Sequence, residues 1–171
     1  MGTTVRELIE LAGGVSGGRE VGAVQPGGAS SNFIGPDKLD MPLDFGAAAE
    51  NGTMLGSGAL VVLAEGTDLL AASTNVLRFF RNESCGKCVP CRLGSTKAYA
   101  VLSDVVESGA ELDDDRRAHL VRLEEAMRKT SICGLGQVAL GPVMSVLGLN
   151  KGGAAAREQP RPGGAEDQPD R

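Results

Sequence analysis

The chain has 171 residues, a formal net charge of −5 and an aromatic content of 3%. At about 150 residues per domain, this length predicts one large domain or two small ones. Non-specific nucleic-acid binding needs a basic surface, and base stacking needs aromatic side chains, so neither is expected here. No apolar run reaches the roughly 20 residues that span a bilayer, and the N-terminus lacks the pattern of a secretory signal. The sequence therefore predicts a protein that binds no nucleic acid and does not insert into a membrane.

Composition divides the chain into residues 1–67, residues 68–150 and residues 151–171. The first segment carries the net charge, with eight acidic and three basic residues. The second has ten residues of each sign, and the third contains no Val, Leu, Ile or Phe. Because the third segment cannot bury enough apolar area to offset the loss of chain entropy, we expect it to be a disordered tail.

Helical and extended elements are both predicted in residues 1–67. Thr4 and Glu7 form a capping box that begins a helix, and Gly13–Gly14 can end it with positive φ. Apolar runs bounded by turn residues have the character of strands. The predicted elements are a helix over 5–12, strands over 21–24 and 59–64, and one or two helical turns over 45–50. Together these elements predict a small α+β unit.

Two glycine-rich runs in this segment could bind a ligand through their backbones. Gly56–Gly58 begins like a dinucleotide-binding fingerprint, but the third glycine is missing and a strand follows where a helix is required. The run Gln25–Ser31 fits either a ligand-binding loop or, more simply, a turn. We favour the turn and expect no phosphate-binding loop.

Residues 68–150 have the periodicity of helices. Asp68 is a candidate N-cap, and the acidic residues 113–115 suit the positive end of a helix dipole. Pro142 is expected to kink or restart the last helix. The predicted helices cover residues 69–81, 95–107, 114–130 and roughly 136–148. Four helices around a cysteine site predict a small bundle.

All the cysteines lie in this second segment, in the pattern C-x2-C-x2-C-x41-C; they are Cys85, Cys88, Cys91 and Cys133. Three thiols spaced by two residues can surround one compact object, and a distant fourth can close the site. Four thiolates suit either an iron–sulfur cluster or zinc. Structural zinc more often takes two separated pairs of cysteines. We therefore favour one [4Fe–4S] cluster, with zinc as the second interpretation and disulfides or free thiols as the third.

The residues around the cysteines favour an anionic cofactor. Positions 78–97 hold five basic residues and one acidic residue, Glu83. Positive charge near a cluster stabilises it and raises its potential. Four cysteine ligands leave no iron open to substrate, which favours electron transfer over catalysis at the cluster. An exposed cysteine triplet also oxidises readily outside a reducing compartment, so we expect a cytoplasmic protein.

Two stretches, Glu83–Gly94 and Ser131–Gln137, resemble the C-terminal part of the 51 kDa, F-type flavoprotein subunit of respiratory NADH dehydrogenase (complex I). Similar subunits occur in NAD-reducing hydrogenases and NAD-dependent formate dehydrogenases. Upstream stretches resemble the soluble-ligand-binding β-grasp domain of the same family; they are Gln25–Ser31, Met41–Phe45 and Met54–Ala59. The resemblance covers about residues 3–148.

This resemblance implies an α+β chain with a small β-grasp domain over 1–67 and a four-helix-bundle iron–sulfur domain over 68–150. It also implies that one [4Fe–4S] cluster has four ligands: Cys85, Cys88, Cys91 and Cys133. The implied function is one-electron transfer within an NAD-linked oxidoreductase. Its location would be the cytoplasm or the cytoplasmic side of a membrane complex.

The chain departs from this family in one respect. Family members bind FMN and NADH in an N-terminal domain with a glycine-rich loop, and the 171 residues contain no such loop. We therefore expect FMN and NAD only on a partner domain or chain, and no catalysis by this chain alone. The implied partners are a flavin/NADH-binding polypeptide and other iron–sulfur subunits. Two alternatives stay open: an adaptor protein whose four cysteines bind metal only to staple the bundle, and small-ligand binding by residues 1–67.

Overall fold

A computed structural model describes residues 2–149, which are mostly helical with one small two-stranded sheet. The elements in chain order are α1 (Val5–Leu11), β1 (Val21–Gln25), α2 (Phe45–Glu50), β2 (Val61–Ala64), α3 (Leu69–Asn82), α4 (Val89–Ser108), α5 (Asp114–Thr130), α6 (Gly134–Val138) and α7 (Gly141–Leu149). The predicted disorder of residues 151–171 concerns a segment outside the described residues. The β-grasp and four-helix-bundle assignments stay predictions.

The sheet is formed by β1 and β2, which pair antiparallel. Their register shifts between Val21 and Ala23, and the bulge lets Gly22 pack against β2. A Cβ at Gly22 would lie 2.7 Å from the carbonyl oxygen of Ala64, so this close approach requires glycine. A hydrophobic cluster joins α1 to β1 and the loop after it; its buried members are Val5, Ile9, Val24, Ile34, Leu39 and Met41.

The larger core lies among the helices of the second segment. α3 packs against α4 and α7, while α5 packs against α4 and α6. The most deeply buried large side chains of this core are Leu77, Leu102, Leu120, Met127, Leu140 and Val143. Each such side chain contributes about 1.5–3 kcal/mol when it leaves water. The predicted N-cap at Asp68 is confirmed, because its carboxylate accepts the backbone N–H of Ala71.

The structure corrects the predicted start of one helix and divides another predicted helix into two. The helix predicted to begin at residue 95 begins at Val89, because Pro90 lies in its first turn, where the fixed φ of proline suits a helix. That prediction was therefore wrong by six residues. The helix predicted over 136–148 is two helices, α6 and α7, and Pro142 stands second in α7, where it restarts the helix as expected.

The last helix packs against the N-terminal part of the chain. Ser145 Oγ accepts the backbone N–H of Phe33 at 2.9 Å. Val146 is fully buried and shares a cluster with Ala23 and Phe33. Residues 2–67 and residues 68–149 therefore share buried surface, and a domain boundary at residue 67 stays a prediction.

Candidate metal centre

The four cysteines lie where α4 and α6 begin. Cys88 is the N-cap residue of α4, Cys91 lies in the first turn of that helix, and Cys133 is the N-cap residue of α6. Cys85 lies in the loop between α3 and α4. All four thiols are free, and Cys91 is 5% exposed while Cys85 and Cys133 are exposed. One side of the site therefore adjoins the helical core, and the other side faces outward.

The segment that carries Cys133 lies against the other cysteines. The pKa of the Cys88 thiol is lowered, first by the backbone N–H of Ile132 and then by that of Cys91. A Cβ at Gly136 would lie 2.8 Å from the Cβ of Cys91, so α6 and the start of α4 touch. The fold thus brings together the two stretches of sequence that hold the cysteine pattern.

The thiols are not gathered around a point that suits a single ion. Among residues 2–149, no three Cys, His, Asp or Glu side chains converge closely enough to hold one metal ion. A [4Fe–4S] cluster is larger than one ion, so its cysteine ligands stand further apart than those of a mononuclear site. The contact between the two segments is a finding, and the four-cysteine ligand set stays a prediction.

The groups around the cysteines fit an anionic cluster bound through thiolates. The 20-residue helix α4 begins at Cys88, so the positive end of its dipole lies beside the cysteines and favours a negatively charged group there. Ser84 Oγ lies 3.3 Å from Cys91 Sγ. Ser131 Oγ is buried and makes no hydrogen bond within the described residues. A buried hydroxyl without a partner costs about 1–3 kcal/mol, and a bound group at this position would supply that partner.

Arg92 holds the cysteine loop in place. Its Nη1 donates to the carbonyl oxygen of Gly86 at 3.0 Å and ties the loop after Cys85 to α4. Gly86 itself has φ +73°, a conformation that favours glycine. By contrast, Arg81 stacks over the ring of Tyr99, 4.1 Å from its centroid. The basic residues predicted to surround the cysteines therefore include one that shapes the loop and one whose guanidinium packs against an aromatic ring.

Sequence reasoning missed three residues of this site. Arg92 was counted only as a charge, and the hydroxyls of Ser84 and Ser131 were not singled out. Ser84 immediately precedes Cys85, and Ser131 stands two positions before Cys133. Proximity in sequence was the available signal, but it does not distinguish a hydroxyl in the site from one in water.

The glycine-rich run Gln25–Ser31 is a buried turn. The side-chain amide of Gln25 donates to the carbonyl of Ser31 at 2.8 Å, and the Ser31 hydroxyl donates to the carbonyl of Gly28 at 2.9 Å. The backbone N–H of Gly28 donates to the carbonyl of Ala59 at 2.8 Å. These groups are satisfied within the chain, as the turn interpretation predicts, and they are not free to bind a ligand.

Known proteins are similar to this chain in sequence and in fold. Residues 71–149 match the family described as the NADH-ubiquinone oxidoreductase-F iron-sulfur binding region. The chain is 36% identical over 149 residues to the NADP-reducing hydrogenase subunit HndC of Solidesulfovibrio fructosivorans, covering 86% of this chain and 30% of that relative. It is 37% identical over 148 residues to the F-type subunit of the NADH-quinone oxidoreductase of Mycobacterium tuberculosis (strain ATCC 25618 / H37Rv), covering 85% of this chain and 32% of that relative.

A solved structure has the same fold. It is the crystal structure of an NAD+-reducing [NiFe]-hydrogenase in the H2-reduced state, which superposes with a TM-score of 0.74 at 27% sequence identity. The match covers 86% of this chain and 24% of that chain.

The fold and the cysteine pattern thus define an iron–sulfur region of the NADH dehydrogenase type. In this region the chain is similar to the F-type subunits of NADH-quinone oxidoreductases and to a related hydrogenase subunit. The resemblance predicted from the cysteine motifs is confirmed. The chain spans about a third of the length of the curated relatives named above. No helix within residues 2–149 combines the length and apolar character needed to cross a membrane.

Proposed function

We propose that this chain transfers single electrons through one [4Fe–4S] cluster bound by four ligands: Cys85, Cys88, Cys91 and Cys133. The observation that carries this proposal is the contact of the Ser131–Gly136 segment with the start of α4. When bound, a cluster of this type exchanges one electron at a time. Since four cysteines complete its coordination, the site relays electrons and leaves no iron open for a substrate.

We further propose that the chain acts as a module of an NAD-linked oxidoreductase. The flavin and NAD sites then lie outside the 171 residues, on another domain or polypeptide. That flavin/NADH-binding polypeptide supplies the electrons, and other iron–sulfur subunits receive them. The names of the hydrogenase and NADH-quinone oxidoreductase relatives support this assignment.

Exposed apolar side chains beside the cysteines support docking of such partners. Val89 and Leu93 are one turn apart on the same face of α4 and are about half exposed. Ile132, next to Cys133, is 74% exposed. Apolar groups clustered at a surface mark places that another protein covers. A partner on this face would exclude water from the exposed side of the site.

The proposed electron-transfer function also suggests a domain assignment and a cellular location for the protein. We assign residues 1–67 to a β-grasp domain that docks on a flavin domain, and residues 68–150 to a four-helix bundle that surrounds the cluster. We assign the protein to the cytoplasm or the cytoplasmic face of a membrane complex. The free, exposed thiols of Cys85 and Cys133 support this location, because a reducing compartment keeps such thiols from oxidising.

Anaerobic reconstitution of the full chain with iron and sulfide tests the proposal. Chemical analysis should find about four iron and four labile sulfide ions per chain. Reduction with dithionite should produce an electron paramagnetic resonance signal that disappears on reoxidation. A single zinc ion with no sulfide would refute the proposal and would favour the adaptor protein, in which the metal only staples the helices.

Replacement of Cys133 by serine tests the fourth ligand. Cys133→Ser should bind less iron than the unmodified chain, and its loaded form should unfold at a lower temperature. Ile132→Ser is the matched control, because it changes an exposed neighbouring side chain, keeps the backbone N–H near Cys88 and removes no sulfur donor. A full cluster of unchanged stability in Cys133→Ser would show that this ligand is wrongly assigned.

A further inference from the structure

We infer that the hydroxyl groups of Ser84 and Ser131 donate hydrogen bonds to sulfur atoms of the loaded site, Ser84 to the thiolate of Cys91 and Ser131 to a sulfur beside Cys91, and thereby raise the reduction potential of the bound cluster. This inference rests on the proposed function, because it concerns the same site. Both serines are positioning residues, since they act on the cluster through its ligands.

The Ser84 hydroxyl lies within hydrogen-bond distance of a cysteine sulfur. Its Oγ lies 3.3 Å from Cys91 Sγ. The same oxygen accepts the backbone N–H of Gly86 at 3.4 Å. A thiolate has no proton to give, so in the loaded protein Ser84 is the donor and Cys91 is the acceptor.

Ser131 is held firmly by its backbone. Its N–H donates to the carbonyl of Met127 at 3.0 Å, and its carbonyl accepts from the side-chain amide of Gln137 at 3.0 Å. The residue is only 6% exposed. The main chain is therefore satisfied, and the side-chain hydroxyl is the group that lacks a partner.

That hydroxyl lies between α6 and the cysteines. A Cβ at Gly136 would lie 2.5 Å from Ser131 Oγ and 2.8 Å from the Cβ of Cys91, so all three residues meet at one point. Buried hydroxyls in folded proteins are nearly always paired. The loaded site, which Cys91 lines at this point, would supply the acceptor that the Ser131 hydroxyl lacks.

The effect of these hydrogen bonds on the reduction potential follows from the negative charge of the cluster. Reduction adds one electron to an already anionic cluster, so a hydrogen bond to a ligand sulfur stabilises the reduced state more than the oxidised state. Loss of the hydroxyl should therefore make the cluster harder to reduce. A purely structural serine would have no such effect.

The test is a redox titration of the loaded full chain, followed by electron paramagnetic resonance. Ser84→Ala and Ser131→Ala are each expected to lower the equilibrium constant for reduction about tenfold, which is about 59 mV for a one-electron couple. Ser84→Thr keeps the hydroxyl and should restore the potential of the unmodified chain. The cluster-free form of Ser131→Ala should melt at the same temperature as the unmodified chain or higher, because the variant removes an unpaired buried hydroxyl.

Ser95→Ala is the matched control. Ser95 is also buried beside Cys91, but its hydroxyl donates to the carbonyl of Cys91 at 2.7 Å and not to a sulfur. This variant should leave the potential unchanged, because its hydroxyl is bonded to no ligand sulfur. Unchanged potentials in both Ser84→Ala and Ser131→Ala would overturn the inference and leave the proposed function intact. If the unmodified chain itself binds no iron and sulfide, it is the proposed function that fails.

Discussion

An alanine at Gly136 is expected to force α6 away from the start of α4. The added Cβ would lie 2.5 Å from Ser131 Oγ, 2.7 Å from Ser131 Cβ and 2.8 Å from Cys91 Cβ. Two of these three neighbours are Cβ atoms, which no side-chain rotation can move. One of the two backbone segments therefore has to shift, and the Cys133 segment would lose its place beside Cys91.

Two opposing effects determine how much Gly136→Ala changes the free energy of unfolding. Alanine stabilises a helix by about 1 kcal/mol relative to glycine, and overpacking costs about 1–3 kcal/mol. Gly148→Ala is the control, because Gly148 lies in α7 and a Cβ there meets nothing within 4 Å. Since both substitutions gain helix propensity, the difference between them isolates the packing cost. We expect Gly136→Ala to be less stable than Gly148→Ala by about 1–3 kcal/mol.

Urea denaturation of the cluster-free chain measures this difference directly. In a thermal melt, each kcal/mol corresponds to about 2–4 °C for a protein of this size. Iron analysis after reconstitution gives the second readout, and Gly136→Ala should bind less iron than Gly148→Ala. Equal stability and equal iron content in the two variants would refute the tight contact between α6 and α4, and with it the support for a shared site.

Three further predictions concern the rest of the fold. Leu77 is fully buried between the helices, so Leu77→Ala should cost about 2–5 kcal/mol in urea denaturation; a loss well below 1 kcal/mol would contradict the assigned core. The Asp113 carboxylate accepts the backbone N–H of Arg116 at 2.7 Å, so Asp113→Ala should cost about 0.5–2 kcal/mol, with Asp114→Ala as the milder control. Arg6 lies 2.7 Å from Asp40, and the hydrogen bond from its guanidinium lowers the pKa of that carboxyl. The Arg6–Asp40 pair therefore stabilises the fold at neutral pH and loses this effect as the pH falls through the lowered pKa. The melting temperatures of Arg6→Gln and the unmodified chain should converge in acid, and a gap that widens there would show the sign to be wrong.

Local chemistry made several elements predictable. The Thr4–Glu7 capping box is present as predicted, because its partners lie within one helical turn. The helix predicted over 114–130 has those bounds, since Asp113 caps it within the same stretch of sequence. Capping depends on neighbours along the chain, and the amino-acid sequence shows those neighbours directly.

Contacts between distant segments explain what the sequence did not predict. The first turn of α4 contains Cys91, whose neighbours Ser131 and Gly136 come from a later part of the chain. Val146 packs with Phe33, and nothing close to either residue in the sequence indicates this pairing. The cysteine spacing predicts which residues form the site, whereas the positions of the nearby hydroxyls depend on the contact between the two segments.

The attachment of α7 to Phe33 bears on how the polypeptide folds during translation. Phe33 and Ser145, which share a hydrogen bond, are 112 positions apart. A nascent chain leaving the ribosome therefore lacks the contacts between Phe33 and α7 until nearly all of residues 2–149 have been synthesised. Closing so long a loop is entropically costly, and contacts of high sequence separation form slowly. The packing of α7 on the Phe33 segment is thus a late step of folding within residues 2–149.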